Sequence, residues 1–381
     1  ANGYAGTPAV LVSFNGTDGA TPIGGLVADA NGDLFGTTAD EYPSGVGTVF
    51  EVLCFLAGTG IATPLGEVPV EALRAGDLVL TAAGRAVPLT WIGRRSVSAA
   101  AKLDRDLHYP VRICRDAVAP GIPHRDLLVT GDHAVFVDGH LIPARMLVNG
   151  ASIRAERGMT ASTYFHLELE THDLLLAEGL AAESYLDTGN RHMFADNTVV
   201  RHVPAGRESA AAAYAARGVA PLTLAPALVE PVWRRLAARA SVSAVAPDCA
   251  GPHGLHLLAA ERRIRPIHVA ADRAMFVVPA GVREVAVVSA SARPSDHRPW
   301  LDDRRRLGVM VRRVRVRSGT NTTDIALDGP QLGGGWNGVE PAGRWTAGHG
   351  VLALPACAEA SILELTIAGA MADRAVQREA A

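Results

Sequence analysis

From Cys54 to about Arg191 the chain is written in short apolar runs broken by turns, and this punctuation constrains the fold more than any other feature. Asp77-Leu78-Val79-Leu80-Thr81 and Val87-Pro88-Leu89-Thr90-Trp91-Ile92 flank a turn at Ala83-Gly84. Asp126-Leu127-Leu128-Val129 runs directly into Thr130. Phe136-Val137-Asp138-Gly139-His140-Leu141-Ile142 carries the Asp-Gly pair of a tight hairpin. Tyr164-Phe165-His166-Leu167-Glu168-Leu169 alternates as a strand before His172-Asp173. The segment Val70-Glu71-Ala72-Leu73-Arg74-Ala75-Gly76 is echoed by Pro143-Ala144-Arg145-Met146-Leu147-Val148-Asn149-Gly150, an inexact internal duplication. The expected fold class is mainly β.

This region starts abruptly. Cys54 stands at the junction with a compositionally different leader, followed by Phe55-Leu56-Ala57-Gly58-Thr59-Gly60-Ile61-Ala62-Thr63-Pro64, then Gly66-Glu67-Val68-Pro69-Val70-Glu71 and Gly76-Asp77. Downstream lies a Thr-x-x-His at Thr130-Gly131-Asp132-His133. Together these residues resemble the Hint domains of hedgehog proteins and inteins, in the compact bacterial form. The resemblance covers 54–191 and implies a pseudo-twofold all-β domain, a symmetry that the internal duplication fits. About 140 residues leave no room for the endonuclease insert of large inteins.

The flanks read differently. Residues 1–53 hold short β-type runs with Asn-Gly and Asp-Gly turn signals. Gly25-Leu26-Val27-Ala28-Asp29, Asn31-Gly32, Leu34-Phe35-Gly36-Thr37-Thr38 and Gly47-Thr48-Val49-Phe50 resemble one copy of a bacterial tandem repeat read as a propeller-like blade. One blade cannot bury its own faces, so further copies are expected upstream. Residues 192–248 are an Ala-rich helical connector: Arg207 to Tyr214 favours helix with Gly218 placed to end it, and Trp233 to Arg239 favours a second after Pro231. Residues 249–370 return to β, with strands expected at Ile264–Val269, Ala274–Val278, Val282–Ser289, Leu307–Val316 and Ile362–Ile367 at sandwich-like spacing, before a tail at 371–381. The run Gly335-Trp336, Glu340, Gly343-Arg344-Trp345-Thr346 resembles a small β-sandwich appended to bacterial surface and glycan-handling proteins. Trp336 and Trp345 could stack on a sugar, although a core role ranks ahead.

Composition closes several routes. Hydrophobic residues make up 48% and charged ones 20%, enough apolar material for real cores, and a net charge of -3 offers no basic field for nucleic acid. The four cysteines, Cys54, Cys114, Cys249 and Cys357, are scattered without C-x-x-C, so neither a metal site nor a disulfide framework is indicated, and no cofactor is expected. No apolar run reaches the ~20 residues of a membrane span. The chain opens on Ala1 without an initiator methionine and reads as a piece of a longer protein, with secretion or display at a bacterial surface expected.

The Hint resemblance implies a chemistry. Cys54 would attack the carbonyl of Leu53, exchanging the amide for a thioester. A thiol with pKa near ~8.5 needs a nearby base, and the leaving nitrogen needs a proton; one histidine can serve both ends. The resemblance gives His133 that role and makes Thr130 the hydroxyl bonded to the scissile amide. His172, in Thr171-His172-Asp173-Leu174, is a further candidate, with His166 and Asp173 behind it. The chain departs from the intein pattern at Ala182-Glu183-Ser184-Tyr185, where His-Asn and a following Cys, Ser or Thr would stand. Without that asparagine, splicing is not expected. The thioester would pass to water, a thiol or a hydroxyl, in single-turnover self-cleavage rather than repeated catalysis. The alternatives are a surface adhesin or carbohydrate-binding module carrying an inert Hint scaffold, and a carbohydrate-active enzyme, for which no carboxylate pair stands out.

Overall fold

The computed structural model describes residues 27–28, 34–35, 54–98, 109–159, 161–187, 210–242 and 254–371. The chain divides into two compact units, Ala1–Val242 and Ser243–Ala381. Of residues 1–53, only the antiparallel pair β1 (Val27–Ala28) and β2 (Leu34–Phe35) is described, so the expected repeat otherwise lies outside the described residues.

The first unit continues with β3 (Phe55–Leu56), β4 (Gly60–Thr63), β5 (Gly66–Pro69), β6 (Leu78–Leu80), β7 (Ala86–Pro88) and β8 (Trp91–Ser98). Next come β9 (Val111–Ile113), β10 (Leu127–Val129), β11 (Ala134–Val137) and β12 (His140–Pro143). It ends its β region with β13 (Ile153–Ala155), β14 (Ala161–Glu168), β15 (Leu174–Ala177) and β16 (Leu180–Glu183). These make two six-stranded antiparallel sheets, β13-β9-β10-β3-β14-β8 and β12-β11-β16-β15-β4-β5, with β6 and β7 as a separate pair. The 87–92 run is split between β7 and β8 at Leu89-Thr90, where the Leu89 N–H turns to Asp77 O. Phe55, Ile61, Ile113, Leu127, Val129 and Leu141 are fully buried. Each such side chain contributes roughly 1.5–3 kcal/mol on leaving water.

The internal duplication has a structural counterpart. Hairpins β4–β5 and β11–β12 each pair their first residue with a closing proline, Gly60 with Pro69 and Ala134 with Pro143. Each proline then opens a 3₁₀ turn, Val70–Ala72 in one case and Ala144–Leu147 in the other. Equivalent hydrogen bonds lock both: Val70 N–H to Thr59 O at 2.8 Å and Ala144 N–H to His133 O at 3.0 Å. By this correspondence His133 occupies the position of Thr59, and β5 and β12 form opposite edges of one sheet. The β11–β12 turn has positive φ at Asp138 (49°) and Gly139 (82°), the conformation for which Asp-Gly is suited.

Two helices pack on this β unit. α1 (Ala210–Arg217) buries Ala213 and Tyr214 in a cluster with Ala134, Leu141, Leu174 and Leu186. It ends at Gly218, where a Cβ would lie 2.5 Å from Tyr214 O, so glycine is required by close approach. Pro221 O and the Thr223 N–H then clasp Leu141 on the outer edge of β12. α2 (Pro226–Arg239) starts well before the expected helix: Pro226 supplies the N-terminal proline and Pro231 lies inside. Val229, Val232, Trp233, Leu236 and Ala237 form its buried face, and this packing offsets the backbone bond lost at Pro231. The Trp233 indole N–H donates to Val148 O at 2.8 Å. Among the described residues no helix is long and apolar enough to cross a membrane.

The second unit contains β17 (His256–Ala259), β18 (Arg262–Ile264), β19 (His268–Ala270), β20 (Arg273–Val278), β21 (Glu284–Val288) and the short helix α3 (Pro294–His297). β22 (Val309–Ser318), β23 (Asn321–Ile325), β24 (Trp336–Glu340), β25 (Gly343–Thr346), β26 (His349–Ala353) and β27 (Ser361–Ala370) follow. The sheets β18-β17-β21-β26 and β19-β20-β27-β22-β25-β24, the latter extended by β23 on β22, share a core that includes Leu257, Phe276, Val287, Val314, Leu352 and Leu365. This is a β-sandwich. The single strand expected over 264–269 is two, because Pro266 cannot donate to a ladder. Arg313 and Arg315 both hold Asp324, at 2.7 and 2.9 Å.

Candidate active site

β10 ends at Val129, paired with Phe55, and this register brings Thr130 against Cys54. The two residues bond reciprocally. The Cys54 N–H donates to Thr130 Oγ1 at 2.9 Å, and the Thr130 N–H donates to Cys54 O at 2.9 Å. The nitrogen held by the hydroxyl is that of the Leu53–Cys54 peptide; Leu53 itself lies outside the described residues. The chain then turns through Gly131-Asp132, closed by the His133 N–H on Thr130 O at 3.2 Å. Arg145 pins this turn twice, through an ion pair with Asp132 and through its own N–H on Gly131 O.

The imidazole of His133 is fully buried and packs on Phe55, the residue after Cys54, with ring centroids 4.3 Å apart. Both of its ring nitrogens lack a hydrogen-bond partner. Burial lowers its pKa to about 4, an effect opposed by the Glu183 charge, so the ring is neutral near pH 7. His166, with its centroid 6.1 Å from that of His133 and 4.7 Å from that of Tyr185, is pushed well down by burial and its histidine neighbours. Cys54 is fully buried with Leu56, Tyr164 and Tyr185, and burial drives its thiol well up against a smaller opposing effect of Arg95. The site therefore stores no ion pair between Cys54 and His133 at rest. A protonated thiol and neutral imidazoles share one dry compartment.

His172 belongs to an adjoining group. Its Nδ1 accepts the Val219 N–H at 3.1 Å, which leaves the proton on Nε2, 3.7 Å from Glu183 Oε2. Glu183 is fully buried, accepting the Ala134 N–H at 2.7 Å and the Tyr214 hydroxyl. Asp173 is directed elsewhere: it pairs with Arg85 and accepts its neighbour's N–H, from Leu174, at 2.8 Å. Its backbone is clasped to Ser184 by Asp173 N–H to Ser184 Oγ at 3.0 Å and Ser184 N–H to Asp173 O at 2.8 Å.

Cys54, Thr130, His133 and His166 thus converge, with His172 reached through Glu183. Trp336 lies in the core of the second unit, its indole N–H donating to Val351 O at 2.7 Å, while Trp345 is partly exposed. Sequence reasoning passed over Glu183, visible there only as a departure from the splicing pattern, and Tyr214, which nothing in its alanine-rich surroundings marks. It also passed over Glu67, His124 and Glu178, whose ligand atoms lie within 4.8 Å of one another and could hold a metal ion. In that group Glu178 is already engaged by Arg125 at 2.6 and 2.7 Å and by the Gly60 N–H.

Residues 53–189 match the Hint domain family. No curated protein matches the chain. Among solved structures, the MchDnaB-1 intein in its N145AA form is similar at 14% identity, covering 34% of this chain and 98% of that one, with a TM-score of 0.26. The MchDnaB-1 intein itself gives 13% identity, 34% and 99% coverage and a TM-score of 0.26. The bacterial intein-like domain from Clostridium thermocellum gives 16%, 35% and 100%, with a TM-score of 0.25. The segment that ties Cys54 to Thr130 lies within the residues that match the Hint domain family.

Proposed function

We propose that this chain cleaves itself once at Leu53–Cys54 by an N-to-S acyl shift and does not splice. The reciprocal Cys54–Thr130 hydrogen bonds carry this reading, because they hold the leaving nitrogen of that peptide on a hydroxyl three residues from a buried histidine. In the first step the Cys54 thiol gives its proton to His133 as Sγ attacks the Leu53 carbonyl carbon. The tetrahedral intermediate collapses when the His133 imidazolium returns that proton to the Cys54 nitrogen. The C–N bond breaks, a C–S bond remains, and Cys54 gains a free amino group. His133 is suited to this because it starts neutral and faces no competing hydrogen bond. Water or an added thiol then attacks the thioester and restores the Cys54 thiol.

The downstream junction supports release without ligation. A serine side chain has no amide to cyclise, and the Ser184 hydroxyl is engaged by the Asp173 N–H. Incubation of the purified chain with dithiothreitol tests the proposal: fragments of 53 and 328 residues (381 minus 53) are expected, the smaller carrying a C-terminal thioester adduct or its hydrolysis product. An intact chain after prolonged incubation at neutral pH favours the inert scaffold instead.

A further inference from the structure

Among the described residues, Glu183 is the fully buried carboxylate whose charge acts on His133. Each of its two oxygens accepts a hydrogen bond. One is from Ala134, the residue after His133; the other is from Tyr214 on α1, beyond the 53–189 family match. His172 Nε2 lies on the same side, 3.7 Å from Oε2, and its other nitrogen is occupied by Val219, just past α1. A carboxylate withdrawn from water this completely costs several kcal/mol unless charge and hydrogen bonds compensate. Replacing it with an apolar residue would dispense with that cost, so its presence beside the proton-shuttling strand calls for a use.

We propose that Glu183 is a positioning residue whose negative charge, locked in place by Tyr214 and Ala134, supports the transient imidazolium of His133 during the acyl shift. The inference rests on the autoprocessing reading for its kinetic consequence but not for its electrostatic one. His133 starts neutral, so each proton it takes from Cys54 creates a positive charge in a dry site. Glu183 faces that charge across the Ala134 amide and favours it, while His172 acts on His133 in the opposite direction. Asp132, next in the chain, is committed to Arg145, and Arg95 acts on the Cys54 side. α1 and the Val219 turn then complete the site from outside the family segment: they cap the carboxylate and fix the tautomer of His172.

The test uses the full chain in two forms. In a Cys54→Ala background, with ¹³C-labelled histidine, Glu183→Gln keeps the shape and one acceptor oxygen, for the Ala134 N–H, but removes the charge; its new NH2 can donate to the Tyr214 oxygen. His133 is expected to titrate at lower pH than in the parent. With Cys54 present, thiol-induced cleavage at pH 7 should fall about 10- to 100-fold in Glu183→Gln. Its acidic limb should move to lower pH. Tyr214→Phe, which keeps the ring, should slow cleavage severalfold, and Glu183→Asp should recover part of the loss. An unchanged His133 titration together with an unshifted pH profile in Glu183→Gln overturns the inference, since a purely structural carboxylate would alter stability alone. If the parent chain does not cleave, the autoprocessing reading fails, and the titration still decides the role of Glu183. If Glu183→Gln does not fold, Tyr214→Phe takes its place in both measurements, with an unmoved titration and profile again counting against the proposal.

Discussion

The amide of Cys54 and the hydroxyl of Thr130 lie 2.9 Å apart, and the same two residues are joined again by Thr130 N–H to Cys54 O at 2.9 Å. The second bond continues the β3–β10 pairing one residue past Val129 and Phe55. The first does not. It assigns a side chain to a nitrogen that a continuing strand would leave to backbone, and that nitrogen belongs to the peptide expected to break.

Replacing Cys54 with Ala should abolish cleavage and leave the fold intact. The site is a small buried apolar niche among Leu56, Tyr164 and Tyr185, and alanine fits it with loss of one sulfur atom. Mass spectrometry after thiol treatment checks this, and a residual break at Leu53–Cys54 in that variant would falsify the thioester route.

His133→Ala should slow thioester formation by roughly 10² to 10⁴, the span for loss of a general acid–base group. Thr130→Ala should cost less, because it removes one hydrogen bond and no proton carrier. Rates of dithiothreitol-induced cleavage compare the two. Equal rates for His133→Ala and the parent would transfer the role to His172 or His166.

No ligated product should form, and the chain after Ser184 should stay attached to the domain. Sequencing the N-terminus of every fragment measures this. Asn197-Thr198 is the nearest asparagine followed by a hydroxyl residue, so a fragment beginning at Thr198 is the outcome that would contradict the claim.

Acid should destabilise the first unit. Burial holds His133 at about 4, below its usual value near 6.5, so the unfolded chain binds a proton more readily than the folded one. The stabilisation is complete above about pH 6.5 and is lost as pH falls towards 4, reaching about 3 kcal/mol for this ring alone. His166 is shifted in the same direction and adds to the loss. Urea midpoints of the Cys54→Ala chain at pH 7 and 4.5 should differ accordingly; a flat profile would mean that water reaches both rings.

Much of the architecture could be read without coordinates because it is local. The Asp138-Gly139 turn and the echo of Val70 to Gly76 in Pro143 to Gly150 each depend on backbone preferences spanning a few residues, and here the packing agrees with them. Where local signals and packing compete, packing sets the boundary: the helix expected over Trp233 to Arg239 is present, but it starts at Pro226 and runs through Pro231 because five buried apolar residues outweigh a missing N–H. The mainly β class follows from the chain itself. The state of the site does not. That His133 is neutral follows from how much protein surrounds it, and that Glu183 is buried and bonded follows from donors 49 and 31 residues away in the chain. Residue type and spacing determine which groups can do chemistry here; desolvation and long-range contacts, which exist only once the sheets and α1 have packed, decide where their protons sit.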